Sequence, residues 1–137
     1  MSITAKWYPS AAQQMFLGNL NSTTSSFKIA LLNSSGSYTA SHTAWSDVSG
    51  FEIAASGGYT AGGEATTITP TANSTASYYT PSAVLWTSAT FSFNNAVIYD
   101  TVSGKLMMHL AFITTQSPVA QDYQINVPST APSATPA

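Results

Sequence analysis

The chain contains no cysteine and no arginine, and charged residues of any kind are scarce. Without cysteine, neither a disulfide framework nor a thiolate metal site can form. Asp, Glu, Lys and Arg together make up 6% of the residues, against about 25% in ordinary soluble domains. With a net charge of −2 and three lysines, the sequence has no basic cluster to contact phosphates, so we expect no nucleic-acid partner.

Long apolar runs are missing as well. No stretch approaches the ~20 apolar residues that a membrane span requires, so no membrane partner is expected. Residues 1–8 lack the apolar core of a secretory signal peptide. These two features predict a chain that is synthesised and folded in a cytoplasm, wherever it later resides.

Serine, threonine and apolar residues take the place of charge. The hydrophobic fraction of 44% over 137 residues is sufficient for one domain with a packed core. A nearly neutral surface favours association. Two interpretations follow: an extracellular β-protein with a Ser/Thr-rich exterior, or a subunit whose surface is largely covered by neighbouring molecules.

The clearest structural signal is a hairpin within residues 84–113. Dense β-branched and aromatic residues flank a turn that Asp100 can open and that Gly104 can close with a positive φ. Apolar side chains occupy both faces of the second arm, residues 105–113, so we expect both faces to be covered. The change of phase at residues 94–95 predicts a bulge or a bend in the first arm.

The remaining pattern predicts short strands and one helix. A helix is expected over residues 9–18, with Pro9 at its start and Gly18 at its end. Strands are expected over residues 27–32, 51–54, 65–69, 76–80, 83–86 and 122–127, with breaks at Pro70 and Pro81. Strands and turns of this kind indicate an antiparallel sandwich or barrel. We predict an all-β, antiparallel β-sandwich, jelly-roll-like, with one short N-terminal helix.

Two segments divide the chain. Residues 1–127 form the predicted single domain, and residues 128–137 form a Pro/Ser/Thr-rich arm that is expected to be extended. Within the domain, Gly57-Gly58 and Gly62-Gly63 bracket Tyr59. No Gly-Lys-Ser/Thr follows, so we interpret the pairs as turns around a buried tyrosine and not as a phosphate cradle.

Residues for catalysis are few. His42 and His109 are the histidines of the chain, and its five carboxylates are scattered. No Gly-x-Ser-x-Gly motif presents a nucleophile, and no acidic pair has calcium-loop or glycosidase-like spacing. We therefore predict no catalytic residue, no metal site and no cofactor, and a protein that is not an enzyme.

Five stretches, taken in order, resemble small virion structural proteins of tailed bacteriophages. They are ITAKWY (3–8), FKIALL (27–32), HTAWSDV (42–48), GYTAGG (58–63) and AVIYD (96–100). Members of that family resemble decoration, minor head or tail components, so the resemblance implies a virion part without saying which one. It also implies a virion location after synthesis in the host bacterial cytoplasm.

The first hypothesis is a capsid decoration (cement) protein that binds the outer shell and braces adjacent capsomers. Its expected partners are the major capsid protein and copies of itself, in a trimer for example. The expected contact residues are Ile3, Trp7, Tyr8, Met107, His109, Pro128, Pro132 and Pro136.

The alternative is a tail or adsorption component, an adaptor or a receptor binder that contacts host glycan through Tyr38, Trp45, Tyr78 or Tyr79. A third interpretation, a free extracellular sugar-binding module, conflicts with the missing signal peptide.

Overall fold

The computed structural model describes residues 3–18, 26–72 and 77–127. Antiparallel strands dominate it, and one short helix lies near the N-terminus. In chain order, the elements are β1 (Ile3–Trp7), α1 (Pro9–Phe16), β2 (Phe27–Leu32), β3 (Glu64–Thr66), β4 (Ile68–Ala72), β5 (Ser77–Pro81), β6 (Val84–Ala89), β7 (Phe93–Asp100), β8 (Leu106–Gln116) and β9 (Gln121–Ile125). The predicted all-β, sandwich-like fold with one short helix is confirmed. The arm over residues 128–137 lies outside the described residues.

The central sheet contains five strands in the order β1-β8-β7-β2-β3, each pair antiparallel. Two smaller sheets, β4-β5 and β6-β9, complete the described strands. The first strand therefore lies at one edge of the central sheet, where Ile3 is opposite Phe112 and Trp7 is opposite Met108. Most neighbours in this sheet are distant in sequence.

The β7–β8 hairpin forms as predicted. The Asp100 carboxylate accepts hydrogen bonds from the backbone N–H groups of Val102 (3.2 Å) and Ser103 (3.3 Å). Gly104 then takes a φ of 74°, which closes the loop. The pairing shifts register between Phe93 and Asn95, which confirms the predicted interruption, a bulge or a bend, at this point.

An aromatic layer covers one face of the central sheet. The rings of Phe93 and Phe112 lie 4.9 Å apart, and those of Phe93 and Tyr123 lie 5.5 Å apart, in edge-on arrangements. Phe91 lies 5.9 Å from Phe93 and joins Trp86, at 6.0 Å, to this group. Edge-to-face rings at such distances contribute beyond their burial, so this cluster joins β6-β9 to the central sheet.

The connection between β2 and β3 covers the other face. Its Val48 side chain is fully buried, and Trp45 stacks on Tyr99 of β7 with ring centroids 4.4 Å apart. The same connection prolongs the sheet edge, because Ile53 N–H donates to the Leu31 carbonyl at 3.1 Å. Both faces of the hairpin are thus covered, as the apolar character of residues 105–113 predicts.

Three predicted boundaries are wrong. Residues 51–54 do not form a strand, because a 3-10 turn over Ser49–Phe51 is followed by a single bridge between Glu52 and Leu32. The strand predicted to end at Pro70 is two strands, and β4 runs through Pro70. A two-stranded sheet leaves one side of each strand unpaired, so the missing proline N–H is tolerated there. The helix ends at Phe16, before Gly18 turns the chain with a φ of 80°.

The glycine pairs form turns around a buried tyrosine, as predicted. Tyr59 is 3% exposed, and Gly57, Gly58, Gly62 and Gly63 all have positive φ. At Gly63 the main chain runs directly against β2, so that a Cβ atom would overlap the carbonyl oxygen of the residue it faces. Only glycine satisfies both requirements at this position.

Candidate partner-binding surface

The structure encloses four of the predicted contact residues. Trp7, Tyr8, Met107 and His109 are each at most 4% exposed, so they offer no surface to a partner in this fold. Their own chain covers them, which corrects the prediction that these four side chains contact another molecule. Ile3 is half-buried on β1. Pro128, Pro132 and Pro136 lie outside the described residues.

One contact of the chain segment that covers His109 is made by Gly36. The His109 ring and the Gly36 carbonyl oxygen lie 2.9 Å apart through Nε2. Because a carbonyl oxygen only accepts, Nε2 must carry the hydrogen, and neutral His109 then has a bare Nδ1. That Nδ1 is buried and meets no hydrogen-bond partner among the described residues. His109 therefore holds the covering chain through one nitrogen only.

Two tyrosines complete the enclosure of His109. The ring centroids of Tyr38 and Tyr8 lie 5.9 and 6.5 Å from that of His109, in edge-on contacts. The Tyr38 hydroxyl donates to the Trp7 carbonyl at 3.1 Å, and the Lys6 Nζ lies 5.1 Å from the centre of the Tyr38 ring. A cation over an aromatic face is attracted by the ring, so Lys6 of β1 helps to hold Tyr38.

The electrostatics of this cluster follow from its burial. Burial lowers the pKa of His109, with smaller contributions from Lys6 and His42 in the same direction and an opposing one from the Gly36 bond. Burial also raises the pKa of Tyr8, and the neighbouring Tyr38 and Asp47 add to the effect. Desolvation disfavours the charged form of each group, so both side chains are neutral near pH 7.

The carboxylates of the described chain hold backbone and hydroxyl groups. Asp47 Oδ2 accepts from the N–H groups of Thr43 and Ala44, and Glu52 Oε2 accepts from the Tyr59 hydroxyl and the Gly62 N–H.

Within residues 3–18, 26–72 and 77–127, no three His, Cys, Asp or Glu side chains come together as metal ligands would. In the same ranges no helix is long and apolar enough to cross a membrane.

The aromatic residues named for glycan binding are held in the fold to different degrees. Trp45 is half-buried and has one face against Tyr99. Tyr38 is also half-buried, with its hydroxyl bonded to the main chain. The side chains of Tyr78 and Tyr79 lie outside what the structure describes. Sugar stacking needs an open aromatic face, and Trp45 retains at most one.

The apolar surface that sequence reasoning missed lies at the end of α1. Phe16 is 94% exposed and Leu17 is 63% exposed, whereas Ala11 and Ala12 of the helix are buried. Helical spacing places Phe16 four residues after the buried Ala12, on the same side, so a helical projection does not identify it as exposed. We call this pair the helix tip (Phe16 and Leu17).

Other exposed apolar residues occur singly. Leu85, Val102 and Val119 are 52%, 84% and 70% exposed, on β6, in the hairpin loop and before β9. Scattered apolar residues are normal on protein surfaces, whereas adjacent ones mark interaction sites more often. The helix tip is therefore the better candidate for a contact.

The outer edge of β1 is a second candidate contact. Tyr8 N–H donates to the Met107 carbonyl at 3.1 Å, so the even-numbered residues direct their main-chain groups toward β8. The odd-numbered Ile3 and Ala5 then direct theirs away from the sheet. Among the described strands, β1 pairs with β8 alone. An open edge of this kind can accept another strand.

Comparison of the chain with protein families, with curated proteins and with solved structures finds no match.

Proposed function

We propose that this protein is a non-enzymatic structural component of a bacteriophage virion, and specifically a decoration protein that binds the outer capsid shell. The observation that carries the proposal is the helix tip, an exposed Phe16-Leu17 pair on a helix that has no charged residue. Contact surfaces that become buried without unpaired charges avoid a large desolvation cost. The partner surface that fits the helix tip is apolar and uncharged.

The scarcity of charge supports the same proposal. With 6% charged residues, few ionic groups need to be desolvated wherever the surface meets a shell or another copy. The carboxylates Asp47, Glu52 and Asp100 each hold main-chain N–H groups of the chain itself. The remaining surface relies on Ser, Thr and apolar contacts, which act collectively when many copies bind one particle.

The arm over residues 128–137 lies outside the described residues, so its role is argued from its sequence alone. Pro128, Pro132 and Pro136 are four residues apart. In an extended chain, residues an even number apart direct their main-chain groups to the same edge, so all three missing N–H groups fall on one edge. At the other edge of the arm, no main-chain N–H group is lost to proline. We propose that this edge of the arm pairs with β1, where the main-chain groups of Ile3 and Ala5 face away from the sheet, as peptide strands do in β-augmentation.

Copy number in purified particles tests the function. Quantitative mass spectrometry against the major capsid protein should give a stoichiometry near that of the shell. A count of about a dozen or fewer, as closed rings give, would replace the decoration role by the alternative, a tail or adsorption component. Absence from particles would refute the virion proposal altogether.

Two variants with a matched control test the contacts. Changing Phe16 and Leu17 to Ser should lower particle occupancy, whereas Val102→Ser, an equally exposed apolar site at the hairpin loop, should leave occupancy unchanged. Equal occupancy of the double variant, the control and the unmodified protein would refute the role of the helix tip. Deleting residues 128–137 should lower occupancy without changing thermal unfolding of the domain, and unchanged occupancy would refute the role of the arm.

A further inference from the structure

We propose that His109 and the chain segment that covers it form an acid-sensitive clasp. The clasp segment is defined as residues 33–47. Neutral His109 fastens this segment to β8, and protonation of its ring releases it. The clasp would act in the same way whether or not the protein belongs to a virion.

The geometry of the clasp depends on Gly36. Its carbonyl oxygen lies 2.9 Å from His109 Nε2, which carries the hydrogen of the neutral ring. A Cβ atom at Gly36 would lie 2.7 Å from the Cβ of Leu32, which is closer than side chains approach one another. The absence of a side chain therefore lets the segment turn tightly against the end of β2, which places the Gly36 carbonyl where His109 can reach it.

The surroundings of His109 oppose a second proton. Protonation adds a hydrogen at Nδ1, which has no acceptor among the described residues. The groups that face the ring are Lys6 from β1, His42 from the clasp segment, and the rings of Tyr8 and Tyr38. Lys6 is a cation, which opposes a second positive charge on the ring. The neighbouring residues Tyr8 and Tyr38 carry no negative charge that would compensate the positive charge of a protonated ring.

The Asp47 carboxylate of the clasp segment is already engaged. Asp47 interacts with His42 and with Tyr8, but its Oδ2 accepts the N–H groups of Thr43 and Ala44 within the clasp segment. Moving Asp47 toward His109 would leave those two N–H groups unpaired. An imidazolium at position 109 is therefore stabilised only when water reaches it.

The clasp segment is the element that yields. His109 is paired on both sides in the sheet, opposite Lys6 of β1 and Val97 of β7. The ends of the segment are fixed, because Asn95 donates to the Asn33 carbonyl and the Trp45 N–H donates to the Gly104 carbonyl. Its middle, residues 34–42, is held above His109 by the Gly36 bond and by the Tyr38 hydroxyl bond to Trp7. Displacing this middle part breaks these two bonds, whereas displacing β8 would break a five-stranded sheet. Local opening follows the least costly route.

The sign of the pH dependence follows from the direction of the pKa shift. Burial lowers the pKa of His109 in the closed state, whereas an exposed histidine titrates near its usual value of about 6.5. The closed state is therefore fully favoured above about pH 6.5 and loses stability as the pH falls below it. One proton changes the closed-to-open ratio by at most about tenfold per pH unit.

Hydrogen–deuterium exchange with mass spectrometry tests the clasp. Protection of residues 34–42, corrected for the intrinsic effect of pH on exchange, should fall by up to about tenfold per unit as the pH drops below about 6.5. Protection of β7 should stay constant. In the His109→Gln variant the side-chain amide can still donate to the Gly36 carbonyl but cannot titrate. The exchange protection of the clasp segment in this variant should therefore not depend on pH. An equal fall in His109→Gln, or no fall in the unmodified protein, would overturn the proposal.

Two further measurements keep the test decisive if His109→Gln does not fold. NMR titration of the imidazole rings in the unmodified protein should give a His109 pKa below about 6.5 and an Nε2–H tautomer. His42→Gln, the matched control, should retain the pH-dependent loss of protection. A His109 pKa at or above that value, or loss of the effect in His42→Gln, would overturn the assignment to His109.

Discussion

Replacement of Gly63 by alanine should destabilise the protein far more than the same change at other glycines of positive φ. Gly63 has a φ of 92°, and a Cβ atom there would overlap the Ile29 carbonyl oxygen and lie 2.9 Å from the Ala30 Cα. Gly104 has a φ of 74°, and no atom lies within 4 Å of the position that a Cβ would take, so it isolates the backbone cost. The two variants separate backbone strain from steric overlap.

The expected magnitudes follow from these two terms. Left-handed backbone costs an alanine roughly 1–2 kcal/mol, and the reduced freedom of the unfolded chain returns part of this, so Gly104→Ala should cost about 1 kcal/mol. At Gly63 the overlap adds a further term of about 2–3 kcal/mol, because β2 and β3 must separate for the methyl group to fit. Gly63→Ala should therefore cost about 3–4 kcal/mol in total.

Urea unfolding monitored by tryptophan fluorescence measures the free energy of unfolding of each variant, and unchanged slopes would show that the unfolded states are comparable. Gly62→Ala is the neighbouring control, because its φ is 91° and its nearest atom, the Tyr99 hydroxyl, lies at an ordinary 3.5 Å. It should behave like Gly104→Ala. If Gly63→Ala cost no more than Gly62→Ala, the close approach of the glycine turn to β2 would be refuted.

Two further predictions concern hydroxyl and carboxylate groups. The Tyr59 hydroxyl donates to Glu52 at 2.6 Å and accepts from a buried N–H of β2 at 3.1 Å, so Tyr59→Phe should lower the free energy of unfolding by about 3 kcal/mol. Tyr99→Phe, which loses one bond to a carbonyl, should lose about 1 kcal/mol in the same urea experiment; equal losses would contradict the double role of Tyr59. Hydrogen bonds from Thr43 and Ala44 lower the pKa of Asp47, so its contribution is present above about pH 4 and is lost as the pH falls through the lowered pKa. Melting temperatures from about pH 5 to 2 should fall less steeply in Asp47→Asn, and equal slopes would exclude this carboxylate as a source of acid lability.

Local sequence patterns predicted the elements whose signals are local. The β7–β8 hairpin depends on Asp100 and Gly104 and on alternating apolar residues, all within a short window, and its loop and the interruption at residues 94–95 appear as expected. The buried Tyr59 between glycine pairs is a similar case. Turn chemistry and period-two burial act between near neighbours, so such features can be read without knowing the rest of the fold.

The candidate site could not be read in the same way. Tyr8 and His109 resemble contact residues in the sequence because nothing in their own neighbourhood indicates a cover. That cover includes residues 33–47, a polar segment far away in sequence, and Gly36 and Tyr38 carry no local signal for packing on a sheet. The predicted strand end at Pro70 was wrong for a related reason, because only the pairing of β4 with β5 shows which edge of β4 has no partner strand.

The position of β1 has a consequence for how the chain is made. Its first strand pairs with β8, where Ile3 lies opposite Phe112, so a growing chain must present about a hundred further residues before β1 finds its neighbour. At about 5–20 residues per second, the strand waits roughly 5–20 s on the ribosome. A chain stalled before β8 would carry an unpaired N-terminal strand, with its main-chain groups free to associate with other chains. Assembly of the central sheet is therefore a late event of synthesis, and the N-terminal residues are among the last to enter it.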